Sequence, residues 1–565
     1  MRVDIIKKAR LVVPFLVLSM IVAILGVGGM VLSSVAHASD PPPTARFWWR
    51  MPERFGLVWQ SWTPATNSYD PSFVNPSQWK VRFDACSSLS GGDQIIIHPG
   101  GPNGVGPNGK PRQPIVTYTR KIVSYEWVIK GVDDNGLENL ITTSSCWLDR
   151  ALPSEGTYSA TLTVTNDAGK THSVTKTVVV KDWLIVSIGD SVASGEGNPD
   201  QSATWDEPLI RSCWNLLPGT HCLEVLYADP VWHDQRCHRS AKSGPALAAK
   251  ALEDADPHTS VTFVSFACSG ATIDEGLLGA YEGREPAYPL LPPQLDAVMQ
   301  LLCGSRNCDQ PSDPVIDALL ITIGANDVDF APIIVACAAS VGDIADFIRD
   351  IPPIPIPLLD ILDYLFISDT DCNDTSLPSV TRQLRSALPS QYYKLDHKIR
   401  EALKVSEIYI TEYPNDPFSA ENGGRRSCGW LAQISSDEAG WIAMEGDQLN
   451  QIIKDAAKSK WINIGGGLAQ RRHWNYVGGV AEQFYEHGYC SVKLVPPHFE
   501  FPRATSATAI SLAWTSLMIT SWISMEPYIR TSKVMKSIRT VSWRRSSVQR
   551  LRKTRRFLSL TSVSL

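Results

Sequence analysis

The chain has 565 residues, 44% hydrophobic and 19% charged, a balance that fits several globular domains and excludes a disordered or fibrous protein. A net charge of −6 carries no basic footprint, so nucleic acid is not expected as a partner. No fixed-period repeat and no long low-complexity tract runs through the sequence, which argues against a solenoid or an array.

Residues 1–38 read as a signal peptide. Lys7, Lys8 and Arg10 precede an apolar stretch from Leu11 to Leu32, and Ala36-His37-Ala38 supplies the small residues of a cleavage site. The apolar stretch is also near the length that spans a bilayer, so an uncleaved anchor is the alternative. Both readings put the bulk of the chain outside the cytoplasm, secreted or membrane-anchored. Twelve cysteines, an even number, fit an oxidising compartment. Nearness suggests Cys213 with Cys222, Cys303 with Cys308, and Cys337 with Cys372. No CxxC pair or His–Cys cluster has zinc spacing, so neither a metal nor a cofactor is expected.

Residues 39–80 are rich in Pro, Trp and Ser and read as an irregular lead-in. Over 81–182 the pattern is all-β. "TYSATLTVTNDAGKTHSVTKTVVV" alternates apolar and polar residues on both sides of an Asn-Asp-Ala-Gly turn, and "YEWVIKG" supplies another strand. Cys86 and Cys146 are placed to staple two layers of a sandwich. The stretch resembles a PKD-type, immunoglobulin-like module. Such a fold carries no function by itself; a contact with polysaccharide or a cell surface is the partner it brings to mind.

From 183 to 500 the pattern changes. Short apolar runs recur: "WLIVSIG" (183–189), "SVTFVSFA" (260–267), "ALLITIG" (318–324), "EIYITEY" (407–413) and "WINIGGG" (461–467). Between them lie amphipathic segments such as "SGPALAAKALEDA", "PPQLDAVMQLL" and "EGDQLNQIIKDAAKSK". Apolar strands alternating with such helices predict a parallel sheet covered on both faces, a three-layer α/β/α domain. Active sites in such sheets lie at the carboxyl ends of the strands.

Three successive strand ends carry glycine with polar residues: Gly189-Asp190-Ser191, Ala267-Cys268-Ser269-Gly270-Ala271 and Gly324-Ala325-Asn326-Asp327. A hydroxyl at the first end faces solvent and substrate. Ser191 N–H, Gly270 N–H and the Asn326 amide are donors for the oxygen of a tetrahedral intermediate. The blander readings are that Ser191 caps a helix, that Asp190 and Asp327 brace their loops, and that Glu196 is a solvated loop residue; Ser194 is a second, weaker serine. Cys237 and Cys268 are expected at one rim of the sheet, joined by a disulfide.

These three strand ends, in this order, together with "RCHRSAKSGPALA" and "FACSGATI", resemble the first three blocks of the SGNH (GDSL-type) hydrolases, in a secreted bacterial branch. The resemblance spans about residues 183–490. It implies hydrolysis of acyl esters, of a polysaccharide or a lipid, with Ser191 as nucleophile and Ser191, Gly270 and Asn326 as the oxyanion hole.

The family's histidine comes late, in a motif such as Gly-Thr-x-His-Pro, and no such motif is spelled here. Residues 501–565 are basic and without a sustained pattern, and the last histidine is His498. The codons for Met525-Glu526-Pro527-Tyr528-Ile529-Arg530-Thr531 can be chosen so that a shifted frame reads Gly-Thr-Leu-His-Pro-Asn. A frameshifted tail is therefore expected; a divergent tail and a basic surface-binding segment are the alternatives. His238, in "RCHRS", and His487 are read as structural, and His498 as the weak remaining candidate for base. Residues 343–367, apolar and proline-punctuated, are a core-packing insertion or a lid, and Asn373-Asp374-Thr375 spells a glycosylation sequon. The expectation is a secreted serine esterase with an N-terminal β module, inactive as written if the histidine is lost. The alternative is a non-catalytic extracellular binding protein with an inert hydrolase fold.

Overall fold

The computed structural model describes residues 40–97, 115–131, 139–202, 204–205, 226–285, 287–330, 377–419, 436–458, 461–464, 467–470 and 474–484. The signal region, the 343–367 segment, the sequon, Cys213, Cys222, Cys337, Cys372, His487, His498 and the 501–565 tail lie outside these residues. The described chain divides into two compact units. One holds the residues up to Trp48 with Phe83–Leu148 and Tyr158–Val178; the other holds Trp49–Arg82, Asp149–Thr157 and the residues from Val179 onward.

We label elements in chain order: helices α1 (Phe55–Trp59) and α2 (Pro71–Val74), then strands β1 (Ile122–Gly131), β2 (Asn139–Thr143), β3 (Gly156–Asn166) and β4 (Thr171–Gly189). The first unit is all-β. β1 pairs antiparallel with β2 (Trp127↔Ile141) and with β3 (Trp127↔Leu162). Along β3 every second side chain from Tyr158 to Asn166 is buried, as period-2 alternation requires. Phe47 and Phe83 pack on the fully buried Trp127, with ring centroids 5.1 and 5.4 Å away. Cys86 and Cys146 are bonded.

The second unit continues with α3 (Ser191–Ser194), α4 (Gly244–Ala255), β5 (Thr259–Ser265), α5 (Gln294–Cys303), β6 (Ile316–Thr322), α6 (Leu377–Ala402), β7 (Val405–Thr411), α7 (Ser436–Lys458), β8 (Asn475–Val477) and α8 (Val480–Phe484). Residues 179–189 of β4 pair in parallel with β5 (Val264↔Val186) and β6 (Leu319↔Val186). β6 pairs with β7 (Leu319↔Ile408), and β7 with β8 (Ile410↔Tyr476). Counted along this unit, the strands lie in the order 2-1-3-4-5. Leu184, Val186, Ile188 and their neighbours face α5, α6 and α7 in one buried cluster, while Trp183, Ile185, Phe263 and Leu320 face α1, α4 and α8 in another. The unit is thus a parallel sheet between two helical layers.

Two sequence expectations change. The fifth parallel strand is Asn475–Val477, three residues and too short to show a period; Trp461–Ile464 instead pairs antiparallel with Gly467–Gln470, on either side of a glycine turn signal. The 39–80 segment is not merely irregular. Its helices α1 and α2 have only five and four residues, yet Phe55, Val58, Trp59, Trp62, Tyr69 and Val74 are buried in the second unit's clusters. The buried Glu253 carboxylate of α4 accepts the N–H groups of Arg54 (2.6 Å) and Phe55 (3.0 Å), capping the start of α1.

Candidate active site

A 2-1-3-4-5 order reverses direction between β4 and β6, and the crevice beyond the carboxyl ends of those two strands is where ligands bind in open α/β sheets. Ser191 follows the first of these strands and Asn326 follows the other.

Gly189 ends β4 with φ +146°, and a Cβ there would lie 2.2 Å from the Thr322 carbonyl oxygen, so only glycine allows the two strands to close. The Asp190 N–H donates to that same carbonyl at 2.9 Å. The Asp190 carboxyl is fully buried; one oxygen accepts the Val192 N–H at 3.0 Å, and the Tyr413 hydroxyl donates to the other. Burial raises its pKa to about 7, against the pull of those two hydrogen bonds. Asp190 therefore caps α3, and Ser191 is its first helical residue and not its cap. Ser191 is partly exposed, and its hydroxyl has no partner among the described residues. Ser194 is buried and its hydroxyl donates to the Ser191 carbonyl at 3.0 Å, so it is committed locally.

Gly270 has φ +84°, the left-handed region that favours glycine. A Cβ on Gly270 would meet nothing within 4 Å, so the glycine serves the turn and leaves open space before it; it does not permit a close protein approach. Neither the Ser191 N–H nor the Gly270 N–H has an acceptor among the described residues. The Asn326 amide donates to the Ala271 carbonyl at 2.9 Å, which uses one of its two hydrogens. Beside it, the buried Asp327 accepts the Ile273 N–H at 3.0 Å, and burial raises its pKa to about 7 as well. These two bonds tie the third strand end to the loop after the second. Cys237 and Cys268 are bonded, with Cα atoms 4.3 Å apart, and the Ser269 N–H donates to the Cys237 carbonyl at 3.1 Å. Cys303 and Cys308 are bonded too.

Two buried groups at this site have no motif in the sequence. Tyr413 stands at the fourth strand end, and Gln294 is the first residue of α5. The signal available for Tyr413 was its place after an apolar run, as with Ser191. Gln294 offers none, because a single polar residue at a helix start is also an ordinary exposed one.

His238 lies on the same rim. Its Nδ1 is 2.8 Å from a Glu196 oxygen, its Nε2 is 3.4 Å from Glu285, and its ring stacks on Trp232 at 4.6 Å. Burial lowers its pKa, and the two carboxylates more than offset this, leaving it above its ordinary value. Glu196 is thus paired as well as solvated. The buried Arg239 nearby pairs with Asp234 at 2.9 Å, donates to the Ser265 carbonyl at 2.8 Å and stacks on Trp62 at 3.9 Å. His233 stacks on Trp59 at 3.8 Å, and burial lowers its pKa to about 4. Among the described residues no histidine nitrogen reaches the Ser191 hydroxyl, and no group of three or more His, Cys, Asp or Glu is arranged for a metal.

No family model and no curated protein matches the chain. Solved structures similar to it include an extracellular lipase from Streptomyces rimosus, at 19% identity and a TM-score of 0.31, over 60% of this chain and 99% of the lipase. A carbohydrate esterase whose active site displays divergent catalytic and non-catalytic binding functions is 12% identical, with a TM-score of 0.23, over 86% of this chain and 99% of its own. An aryl esterase of M. smegmatis is 10% identical, with a TM-score of 0.20, over 60% of this chain and 99% of its own.

Proposed function

We propose that the chain is a secreted serine esterase of the SGNH type that cleaves acyl esters through an acyl-enzyme on Ser191. One observation carries the reading: at the switch-point crevice the Ser191 hydroxyl and the backbone N–H groups of Ser191 and Gly270 all lack a partner among the described residues. In the reaction the Ser191 oxygen attacks the ester carbonyl as a base takes its proton. The carbonyl oxygen becomes an oxyanion, and the two N–H groups and the second hydrogen of the Asn326 amide donate to it. Collapse breaks the acyl–oxygen bond and the alcohol leaves with the proton; water then attacks the acyl-enzyme and frees the acid. No base is assigned among the described residues: His498 is the weak candidate in the chain as written, and the shifted frame would supply a histidine that this sequence does not contain. The all-β unit is proposed as an immunoglobulin-like module that contacts polysaccharide or the cell surface.

The test is hydrolysis of p-nitrophenyl esters by the full chain and by Ser191→Ala, each with and without added imidazole, beside a chain with the frame restored. Hydrolysis should depend on Ser191. If the written tail lacks the base, imidazole raises turnover only where Ser191 is present, and the restored frame removes the need for it. Hydrolysis equal in the full chain and Ser191→Ala under all these conditions would exclude the mechanism.

A further inference from the structure

Two buried side-chain amides make the same pair of bonds at two strand ends. Gln294, 1% exposed, accepts the Gly189 N–H at 2.8 Å and donates its own N–H to the Gly189 carbonyl at 2.9 Å. Asn450 on α7 accepts the Tyr413 N–H at 2.8 Å and donates to the Tyr413 carbonyl at 2.8 Å. A primary amide offers one acceptor and one donor side by side, the same pair that a neighbouring strand would present. Gln294 stands beside the end of the neighbouring strand β5, at Ser265, and Asn450 stands just past the end of Tyr413's own strand β7, at Thr411.

The two clamped residues converge on one place. Gly189 is two residues before Ser191, and the Tyr413 hydroxyl donates to Asp190. Gly189 is also the residue with the widest backbone freedom in the segment, so without a clamp its peptide planes would be the least defined. Its carbonyl takes a second donor, the Cys268 N–H at 3.0 Å, while its N–H bonds to Gln294. Gln294 is itself anchored to the loop after Gly270, since its backbone N–H donates to the Gly276 carbonyl at 2.8 Å.

We infer that Gln294 is a positioning residue for Ser191: its two-point clamp on Gly189 sets the peptide planes that aim the Ser191 hydroxyl and N–H, and Asn450 holds Tyr413 so that its hydroxyl fixes Asp190. This rests on the reading of Ser191 as nucleophile. Misplacement of a reacting group by about 1 Å costs on the order of 100-fold, which is the scale at stake.

The experiment measures phosphonylation of Ser191 by a fluorophosphonate in the full chain, in imidazole buffer, across mildly acidic to mildly alkaline pH. Wild type is compared with Gln294→Glu, Gln294→Met and Asn450→Asp, with Ser191→Ala as the blank. A protonated carboxyl offers the same acceptor and donor as the amide, whereas a carboxylate turns a second acceptor on the Gly189 carbonyl. Gln294→Glu should therefore react about 10- to 100-fold slower than wild type at alkaline pH. The half-saturating probe concentration should be unchanged, and the ratio to wild type should climb back towards one as the pH falls. Gln294→Met should stay slow at every pH, and Asn450→Asp should show the Glu pattern with a smaller loss. A Gln294→Glu ratio that does not change with pH, or a loss that tracks the near-UV circular dichroism, would overturn the inference alone. An unlabelled wild type, or labelling that survives Ser191→Ala, overturns the nucleophile reading and this inference with it.

Discussion

The first and third strand ends of the second unit are built from the same parts and use them differently. Each has a glycine at positive φ, Gly189 (+146°) and Gly324 (+128°), packed where a Cβ would collide, with the Thr322 carbonyl in one case and the Tyr392 hydroxyl in the other. Each is followed by a buried aspartate whose pKa burial raises to about 7. Asp190 has partners for both oxygens, Val192 N–H and the Tyr413 hydroxyl. Asp327 has one, Ile273 N–H, and its second oxygen is buried without a partner among the described residues. The end that carries Ser191 is thus held on both sides of its aspartate, and the end that carries Asn326 is held on one. This difference suits the roles proposed above, a fixed nucleophile at the first end and a donor tied to the Gly270 loop, through the Ala271 carbonyl, at the second.

The largest effect is expected at Asn326. Asn326→Ala should lower ester turnover about 100- to 1000-fold, as loss of one oxyanion donor does. Steady-state kinetics with p-nitrophenyl butyrate, in whichever form of the chain proves active, reads it; near-normal turnover would mean that Asn326 only braces its loop. Next, urea denaturation should rank the two aspartates. Asp190→Ala leaves the buried Tyr413 hydroxyl and the part-buried Val192 N–H without their acceptor, and Asp327→Ala leaves only the buried Ile273 N–H, at about 1–3 kcal/mol for a buried donor. Equal losses would erase the distinction.

The two aspartates also make stability depend on pH. Both carboxyls ionise near 7 in the fold but near the ordinary value of about 4 when unfolded. The unfolded chain therefore gives up these protons first. The stability linked to each group is complete below about pH 4, falls as pH rises through about 7, and is constant above that. Asp327→Asn keeps the acceptor for Ile273 and removes the titration, so its urea midpoint should fall less than that of wild type between pH 5 and 8, and a parallel curve would contradict the assignment. The smallest effect belongs to Gly270. A Cβ there has room, so Gly270→Ala should cost only the backbone term, about 1–2 kcal/mol in a thermal melt.

Much of this was legible in the sequence, for reasons that particular residues show. Val186, Phe263, Leu319 and Ile408 sit in long apolar runs, so their strands and the three polar strand ends could be read directly. Asn475–Val477, α1 and α2 could not, because three to five residues do not complete enough periods to be seen above chance. Burial of Trp59 and Trp62 followed from tertiary contacts that composition does not report. Gln294 and Tyr413 were hidden for a different reason: their part is defined by which backbone atoms they reach across 105 and 223 residues, to Gly189 and Asp190. His238 was visible, but only the distances pair it with Glu196 and Glu285.

The proposed mechanism stands or falls on Ser191 as the reactive hydroxyl. The most direct measurement is peptide mapping by mass spectrometry of the full chain after treatment with a fluorophosphonate in imidazole buffer. A single adduct is expected, on Ser191 within SIGDSVASGEG, and none in Ser191→Ala. An adduct on Ser194 or another serine, or no adduct at all, would contradict it.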